Sequence, residues 1–223
     1  MQSAAASLPS AAGQSGENGI ALPADLAYLS LMKPRIVVGL SGASGIQYAA
    51  AALRLLRARN THEIHLIVSP AALRTMREET DLDLGDLEAL ADERHAFRDI
   101  AAPLASGSFK VEGMLIAPCS VRTLGAIATS LGDNLLVRAA DVCLKERRRL
   151  VLMLRETPFH LGHIELMKQV TLAGAIVMPP MPAFYTRPQT IDDIVTQTAA
   201  RALDLLGVDV EDIIRWPAQT PED

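Results

Sequence analysis

Short apolar segments alternate with segments of helical periodicity along most of this chain, and that alternation restricts the fold more than any other feature. Apolar runs of strand length occur at residues 35–40, 63–68, 113–118, 150–154 and 175–178. A helical pattern follows each of them. Strands that alternate with helices form a parallel sheet covered on both faces, and near-continuous apolar runs are typical of strands buried on both sides. The sequence therefore predicts one α/β domain, a three-layer, Rossmann-like, doubly wound sheet of five parallel strands.

The boundaries of the domain follow from the same pattern. Helices are predicted at about 46–59, 70–78, 86–91, 120–131, 134–148, 160–171 and 192–206, with loops at 97–109 and 179–188. The domain is expected to span 33–216. Residues 1–32, which are rich in Ala, Ser and Gly, are predicted to form a disordered tail, and 217–223 a short C-terminal tail.

Composition excludes several classes of protein. The 223 residues include 21 Lys and Arg against 26 Asp and Glu, a formal net charge of −5, which argues against a nucleic-acid binder. No apolar run approaches the roughly 18–20 residues that a membrane span needs. Residues 1–32 lack the basic residues of a secretory or mitochondrial targeting segment. Two cysteines are too few for a disulfide framework, so a reducing, cytoplasmic location is expected.

Polar or charged residues follow four of the predicted strands. Ser44, Ser69 and Ser120 come after the first three, and the pair Arg155-Glu156 comes directly after the fourth. In doubly wound sheets, ligands bind outside the carboxyl ends of the strands, at the point where the strand order reverses. The sequence therefore predicts a ligand site at this edge of the sheet.

The loop Ser-Gly-Ala-Ser-Gly at 41–45 joins the first strand to the first helix. Glycine lets a backbone approach a ligand closely, and a helix N-terminus offers amide donors to a phosphate. The loop is neither the dinucleotide fingerprint G-x-G-x-x-G nor a P-loop, which favours a mononucleotide over NAD or ATP. A plain tight turn is an equally good interpretation of the motif alone.

The segment Cys-Ser-Val-Arg-Thr at 119–123 also opens a helix at a strand end. Its hydroxyls and amides are candidates for contacts with a ligand phosphate or ring. A helix N-terminus lowers the pKa of a thiol, so Cys119 is a possible nucleophile. No histidine is evidently paired with Cys119, which favours a small buried side chain. Cys143, inside a helical pattern, is interpreted as a packing residue.

Several charged or aromatic side chains have two interpretations. Arg138 and Lys145 are seven residues apart and share one face of a helix, where they either surround an anion or form a solvated basic stripe. Arg155-Glu156 is either a structural ion pair or an acid/base group beside a bound anion. Tyr185, in a Pro-rich loop, either binds a ligand or covers the core.

No metal site is predicted. His160 and His163 are spaced i and i+3, but without a third ligand they are interpreted as ordinary helix residues. Asp192-Asp193 is too short for the Asp-rich magnesium site of a diphosphate-using prenyl enzyme. Carboxylates at a helix N-terminus interact favourably with its dipole, which explains the pair.

In combination, five motifs resemble the UbiX flavin prenyltransferase family. They are Ser-Gly-Ala-Ser-Gly at 41–45, Cys-Ser-x-x-Thr-Leu at 119–124, Arg-Ala-Ala-Asp-Val-x-Leu-Lys-Glu-Arg-Arg at 138–148, Arg-Glu-Thr-Pro at 155–158 and Pro-x-Phe-Tyr-x-Arg-Pro-Gln at 182–189. The resemblance runs from about Lys33 to Trp216. It implies a flavodoxin-like fold shared with flavin-dependent cysteine decarboxylases. It also implies a homo-oligomer, typically a dodecamer built from trimers, with active sites between subunits.

The resemblance implies an activity as well. Members of the family join the dimethylallyl group of dimethylallyl monophosphate to N5 and C6 of reduced FMN, without a metal ion. The product, prenylated FMN, serves UbiD-type decarboxylases, including the one in ubiquinone biosynthesis. Two alternatives remain: a flavin-dependent decarboxylase of the same fold, and a non-catalytic FMN-binding subunit of a decarboxylase complex.

Site residues are assigned by their position in the resemblance. Those that it places around FMN are Gly42, Ala43, Ser44, Ser69, Ser120, Val121, Arg122, Thr123 and Arg155. Those that it places around the dimethylallyl phosphate are Tyr185, Arg201, Lys145 and Arg138. Glu156 is the matching position for the acid/base group, and Ser44, Lys145 and Arg138 are counted with it as catalytic. Some members carry a Trp where this chain has Ile100.

Overall fold

Six parallel strands form the centre of the domain. The computed structural model describes residues 33–211 and 213–216. The strands are β1 Arg35–Leu40, β2 Glu63–Val68, β3 Glu93–His95, β4 Gly113–Cys119, β5 Arg149–Leu154 and β6 Ile176–Val177. They lie in the order β3-β2-β1-β4-β5-β6, and every pair is parallel. The order reverses between β1 and β4, so the doubly wound topology expected from the sequence is confirmed.

Helices cover both faces of this sheet. They are α1 Ile46–Arg59, α2 Pro70–Glu79, α3 Leu84–Glu88, α4 Val121–Ala128, α5 Leu135–Lys145, α6 Leu161–Ala173 and α7 Ile191–Leu206, with short 3₁₀ turns at Pro103–Ala105 and Phe184–Thr186. One hydrophobic core contains the buried residues of α1 and α7, and the other contains those of α4 and α5. Neighbouring residues of β1 alternate between the two cores, which is what the two-residue repeat of a strand produces.

The prediction of five strands is wrong by one, because β3 adds a sixth at the edge of the sheet. Only His95 of its three residues is buried. Because Glu93 and Arg94 are exposed and charged, the strand has no apolar run in the sequence. The other corrections are small. Helix α3 begins two residues and ends three residues earlier than predicted, and α5 ends at Lys145, since Arg147 adopts a left-handed backbone conformation with a φ of 57°.

The predicted tails, 1–32 and 217–223, lie outside the described residues. Within the part of the chain that the structure describes, no helix is long and apolar enough to cross a membrane.

Polar caps at the strand ends explain why helices begin there. The hydroxyl of Ser69, directly after β2, accepts a hydrogen bond from the backbone N–H of Ala72 at 3.1 Å. Asn134 caps α5 in the same way, through the N–H of Val137. A cap of this kind contributes about 1 kcal/mol, and it directs the first amides of each helix toward the carboxyl edge of the sheet.

Candidate functional site

A cavity of about 590 Å³ lies at the carboxyl ends of the strands, beside the point where the strand order reverses. Its size is within the range of small-molecule and cofactor pockets. The residues that line it include Ser41, Gly42, Ser69, Pro70, Ala71, Phe97, Ser120, Val121, Arg122, Thr123, Asp133 and Asn134. Six of the nine residues predicted to surround FMN are among them. Most of the residues predicted to bind FMN therefore lie together at the carboxyl edge of the sheet.

Ser41 holds the base of this cavity together. Its side chain donates a hydrogen bond to the carbonyl of Pro118 at 2.8 Å and accepts one from the backbone N–H of Ser120 at 2.7 Å. The residue is 1% exposed. Because the two partners lie on either side of Cys119, Ser41 fixes the end of β1 against the end of β4. The sequence interpretation treated Ser41 only as part of the loop; its position directly after a buried strand was the available signal.

Gly42 lies where two walls of the cavity almost touch. A Cβ on Gly42 would overlap the Cβ of Ala71, with the carbonyl carbon of Ala71 only 3.2 Å away. The carbonyl of Gly42 also accepts a hydrogen bond from the hydroxyl of Thr75 at 3.3 Å. Glycine is therefore required here by close approach rather than by backbone angle. Ala43 and Ser44, the next two residues of the predicted loop, do not line the cavity.

Three helix N-termini face the cavity: those of α2 and α4, each capped by a serine, and that of α5, capped by Asn134. Ser120 accepts a hydrogen bond from the N–H of Thr123 at 3.3 Å and donates one to the Thr123 hydroxyl at 3.1 Å. Ser69 caps α2 on the other side. The remaining amides at these helix N-termini form a site suited to an anion such as a phosphate.

The N-terminus of α1 is arranged differently from what the glycine loop suggests. The carboxylate of Glu79 accepts hydrogen bonds from the backbone N–H groups of Gly45 at 2.8 Å and Ile46 at 3.4 Å. A carboxylate of the chain itself thus occupies the amides that the sequence interpretation offered to a phosphate. The helix N-termini that remain suited to an anion are therefore those of the other helices that border the cavity.

Cys119 is a buried packing residue. Burial raises the pKa of its thiol to about 12, and burial does the same for Cys143. The thiol form predominates at neutral pH, and the thiolate is the nucleophilic form. The preference for a small buried side chain at Cys119 agrees with this environment.

Arg155 and Glu156 leave the end of β5 without entering the cavity. The backbone N–H of Arg155 donates to the carbonyl of Cys119 at 2.9 Å, while its side chain is exposed. Burial raises the pKa of the Tyr48 phenol, and the nearby Arg155 guanidinium partly offsets that rise. The half-buried Glu156 accepts a hydrogen bond from the N–H of Thr157 at 2.9 Å.

The cations predicted around the second substrate fall into two groups. Arg138 donates to Asp141 at 2.8 Å and to the carbonyl of Ala105 at 3.1 Å, and Lys145 is paired with Glu146. Both belong to α5, which packs on one face of the sheet, whereas Arg201 belongs to α7 on the opposite face. A single chain therefore does not bring these cations together.

Tyr185 and Arg201 are held by contacts with the last described residues. The Tyr185 hydroxyl donates to the carbonyl of Ile214 at 3.3 Å, and its ring meets that of Trp216 edge-to-face, with centroids 5.2 Å apart. Arg201 pairs with Asp204, and the same carboxylate accepts a hydrogen bond from Arg215 at 2.6 Å. Asp204 is thus a carboxylate shared by two guanidinium groups.

Of the two histidines His160 and His163, His160 has a local structural role. His160 accepts a hydrogen bond from the N–H of Gly162 at 3.0 Å and begins α6, with the two imidazole rings 3.6 Å apart. Ile100, at the position of the family's occasional Trp, is exposed.

Comparison with known proteins agrees with this geometry. The sequence pattern of the Flavoprotein family matches residues 27–203. The flavin prenyltransferase UbiX of Neisseria meningitidis serogroup B is 54% identical over 185 residues, which cover 83% of this chain and 97% of that protein. This chain belongs to the UbiX flavin prenyltransferase family. The UbiX of Escherichia coli K12 is 53% identical over 184 residues, 82% of this chain and 97% of the relative.

Solved UbiX structures share the fold. A crystal structure of AnUbiX (PadA1) in complex with FMN and dimethylallyl pyrophosphate superposes with a TM-score of 0.81 at 45% identity, covering 84% of this chain and all of that one. A dodecameric FMN-dependent UbiX-like decarboxylase from E. coli O157:H7 gives a TM-score of 0.80 at 43% identity, covering 82% and 100%. Both the family and the fold inferred from the five motifs are confirmed.

Proposed function

We propose that this flavin prenyltransferase transfers the dimethylallyl group of dimethylallyl monophosphate to reduced FMN, with new bonds at N5 and C6. The observation that carries the proposal is the cavity at the carboxyl edge of the sheet, in a chain about half identical to flavin prenyltransferases. Support for the substrate pair comes from a relative, AnUbiX, whose structure contains FMN and dimethylallyl pyrophosphate.

In this proposal the cavity holds the flavin. The hydroxyls of Ser69 and Ser120, the N–H of Ala71 near the start of α2 and the first amides of α4 bind its polar groups, while Gly42 keeps the two walls close. Arg155, exposed at the end of β5, reaches FMN near its boundary with the second substrate. Holding the allyl carbon against the flavin ring replaces a bimolecular encounter, which is the main contribution that binding makes to such a reaction.

The second substrate requires cations from two chains. Ionising an allyl phosphate separates a carbocation from a phosphate, so fixed positive charges stabilise the leaving group. Arg138 and Lys145 lie on one face of the sheet and Arg201 on the other. We propose that a neighbouring copy places Arg201 of its α7, and Tyr185 of the turn before that helix, beside α5 of the first copy, which completes the pocket between subunits.

Exposed apolar side chains support such an assembly. On α6, in the segment before α7 and at the first residue of α7, they are Leu161, Ile164, Leu172, Met181, Phe184 and Ile191. Removing apolar side chains such as these from water favours association of protein chains. A dodecamer like that of the E. coli O157:H7 relative is the assembly that we propose.

Glu156 is the proposed acid/base group. Bond formation between C6 and the double bond of the prenyl unit requires a proton on the other alkene carbon. It leaves C6 with a proton that must be lost before the ring regains aromaticity, and a half-buried carboxylate beside a bound anion suits both transfers. We propose that the step uses no metal ion, so protein treated with EDTA keeps its rate.

The decisive assay is anaerobic. Full-length protein incubated with reduced FMN and dimethylallyl monophosphate is expected to yield a flavin heavier by one prenyl unit, detected by mass spectrometry. An unchanged flavin mass would refute the proposal.

Glu156 is tested by substitution. Glu156→Gln is expected to bind FMN normally and to slow turnover by about 100-fold or more, as loss of a general acid or base does. The matched control is Glu165→Gln on the exposed face of α6, where the carboxylate pairs only with Lys168. A rate for Glu156→Gln equal to that of the control would remove Glu156 from the mechanism.

The alternatives make different predictions in the same assay. A decarboxylase acting on a cysteine-type thiol would reduce flavin with its substrate and without a prenyl donor, and an FMN-binding subunit would turn nothing over. We further propose that the product passes to a UbiD-type decarboxylase in the cytoplasm. Activation of such a partner by the reaction mixture tests that transfer.

A further inference from the structure

Two histidines and a glutamate meet at the edge of the sheet, away from the residues assigned to the prenyl transfer. In the register of β2 with β3, His65 lies opposite Glu93, and Ile67 lies opposite His95. Because side chains alternate along a strand, the side chains at 65, 93 and 95 lie on the same face. His65 is fully buried, His95 is nearly so, and the Glu93 side chain is 52% exposed.

The distances within this cluster suit a small metal ion. His65 Nδ1 lies 2.9 Å from His95 Nε2, and Glu93 Oε2 lies 3.6 Å from His65 Nδ1. Bonds of about 2.0–2.1 Å in a tetrahedral zinc site separate neighbouring ligand atoms by roughly 3.3 Å. The two observed distances lie on either side of that value, and one ligand atom from each of the three residues lies within 4.8 Å of the other two. An ion would replace the hydrogen bond between His65 and His95, and rotation of the side chains would bring the three ligand atoms around it.

The other nitrogen of His65 has the setting of a metal-bound histidine. His65 Nε2 is buried and makes no hydrogen bond in the described part of the chain, although Glu63 Oε1 lies 3.3 Å away. A histidine that binds a metal through Nδ1 carries its proton on Nε2 and commonly directs it at a carboxylate.

The charges around the cluster also favour a cation. Glu63 and Glu93 supply two carboxylates, and Arg35, which pairs with Glu63 at 2.9 Å, supplies one guanidinium. With both imidazoles neutral, the net charge of this group is −1. A divalent ion would make it +1 and would give the Nε2–H of His65 a carboxylate partner.

We propose that His65, His95 and Glu93 bind one Zn²⁺ ion, with water in the fourth position. Two nitrogen donors and one carboxylate match the three protein ligands of zinc sites that keep an open position. The ion would join the edge strand β3 to β2. Since Phe97, two residues beyond His95, lines the main cavity, such a link would hold the start of the loop that borders that cavity.

The test uses untagged, full-length protein from which metal has been removed with EDTA. Titration with Co²⁺ is expected to give visible ligand-field absorption that saturates at one ion per chain. Titration with Zn²⁺ in a calorimeter should give the same stoichiometry and should raise the temperature of unfolding. No binding, or binding at several equal sites, would overturn the proposal.

Variants identify the ligands. His95→Gln and Glu93→Gln are each expected to weaken Co²⁺ and Zn²⁺ binding at least tenfold, and Glu93→Gln is a partly exposed change that leaves the core intact. The matched control is His62→Gln, because His62 also pairs with a carboxylate, that of Glu112 at 3.1 Å, outside the cluster. Unchanged affinity in Glu93→Gln, or equal loss in the control, would contradict the assignment.

Discussion

The close contact between Gly42 and Ala71 makes Gly42→Ala the sharpest test of the cavity. The new methyl group would overlap the Cβ of Ala71, so the glycine loop and α2 would have to move apart by about 1 Å to restore van der Waals contact. Overpacking of this kind costs roughly 1–3 kcal/mol. In a domain of this length, each kcal/mol lowers the midpoint of thermal unfolding by about 2–4 °C.

The same displacement separates two walls of the proposed flavin site. We expect Gly42→Ala to weaken FMN binding about tenfold, equivalent to about 1.4 kcal/mol, as measured by quenching of flavin fluorescence. Gly132→Ala is the control, because a Cβ there would make only ordinary contacts, at 3.7 Å and beyond.

A compensating substitution, Ala71→Gly, tests the steric cause of this effect directly. Ala71→Gly removes the overlapping methyl group, after which the nearest atoms to the new Cβ of Gly42→Ala are the Ala71 backbone carbons at 3.2 and 3.3 Å. The double variant should therefore recover most of the lost FMN affinity. Its free energy of unfolding should still be lower by about 0.5–1 kcal/mol, because it places a glycine in a helix. Normal FMN binding by Gly42→Ala, or a double variant no better than the single one, would refute the steric argument.

Three further predictions follow from contacts described above. Because burial raises the pKa of Cys119 and of Cys143 to about 12, neither thiol should react with Ellman's reagent at pH 8 until the protein is unfolded by guanidinium; rapid reaction of the native protein would contradict this. Glu79→Ala removes the cap of α1 and should cost about 1 kcal/mol, seen as a fall of 2–4 °C in thermal unfolding, whereas Glu79→Gln keeps an acceptor and should cost less. The hydrogen bond from Arg215 and the charge of Arg201 lower the pKa of Asp204, so its contribution to stability is present above about pH 4 and is lost as the pH falls through the lowered pKa; the difference in unfolding temperature between the wild type and Asp204→Asn should shrink over that range.

The sequence predicted the layers of this fold because each buried strand carries its own signal. An apolar run such as 63–68 is typical of a strand that is buried on both faces of a parallel sheet, and a serine directly after it predicts a helix cap. β3 was missed because an edge strand needs burial on one side only, and here a single residue, His95, supplies it.

Some of the residues around the cavity could be predicted from the sequence. Ser69, Ser120 and Gly42 line it, and their position at strand ends is visible in the sequence; their contact with FMN stays a prediction. The role of Glu79 could not be predicted, since nothing local indicates that a carboxylate thirty-four residues away in the chain reaches the N–H of Gly45. The same limit applies to the contacts of Ser41, whose partners are Pro118 near the end of β4 and Ser120 at the cap of α4.

The separation of Arg138 from Arg201 by the sheet has a consequence for how this protein tolerates mutation. No rearrangement of side chains within one chain can pass a charge through a packed core. If the pocket is shared as we propose, whatever keeps the copies together also keeps the pocket complete. A substitution of an exposed apolar residue on α6, outside the cavity, would then lower the activity by weakening the assembly. Two chains with different lesions, one in α5 and one in α7, would repair each other when they are made in the same cell.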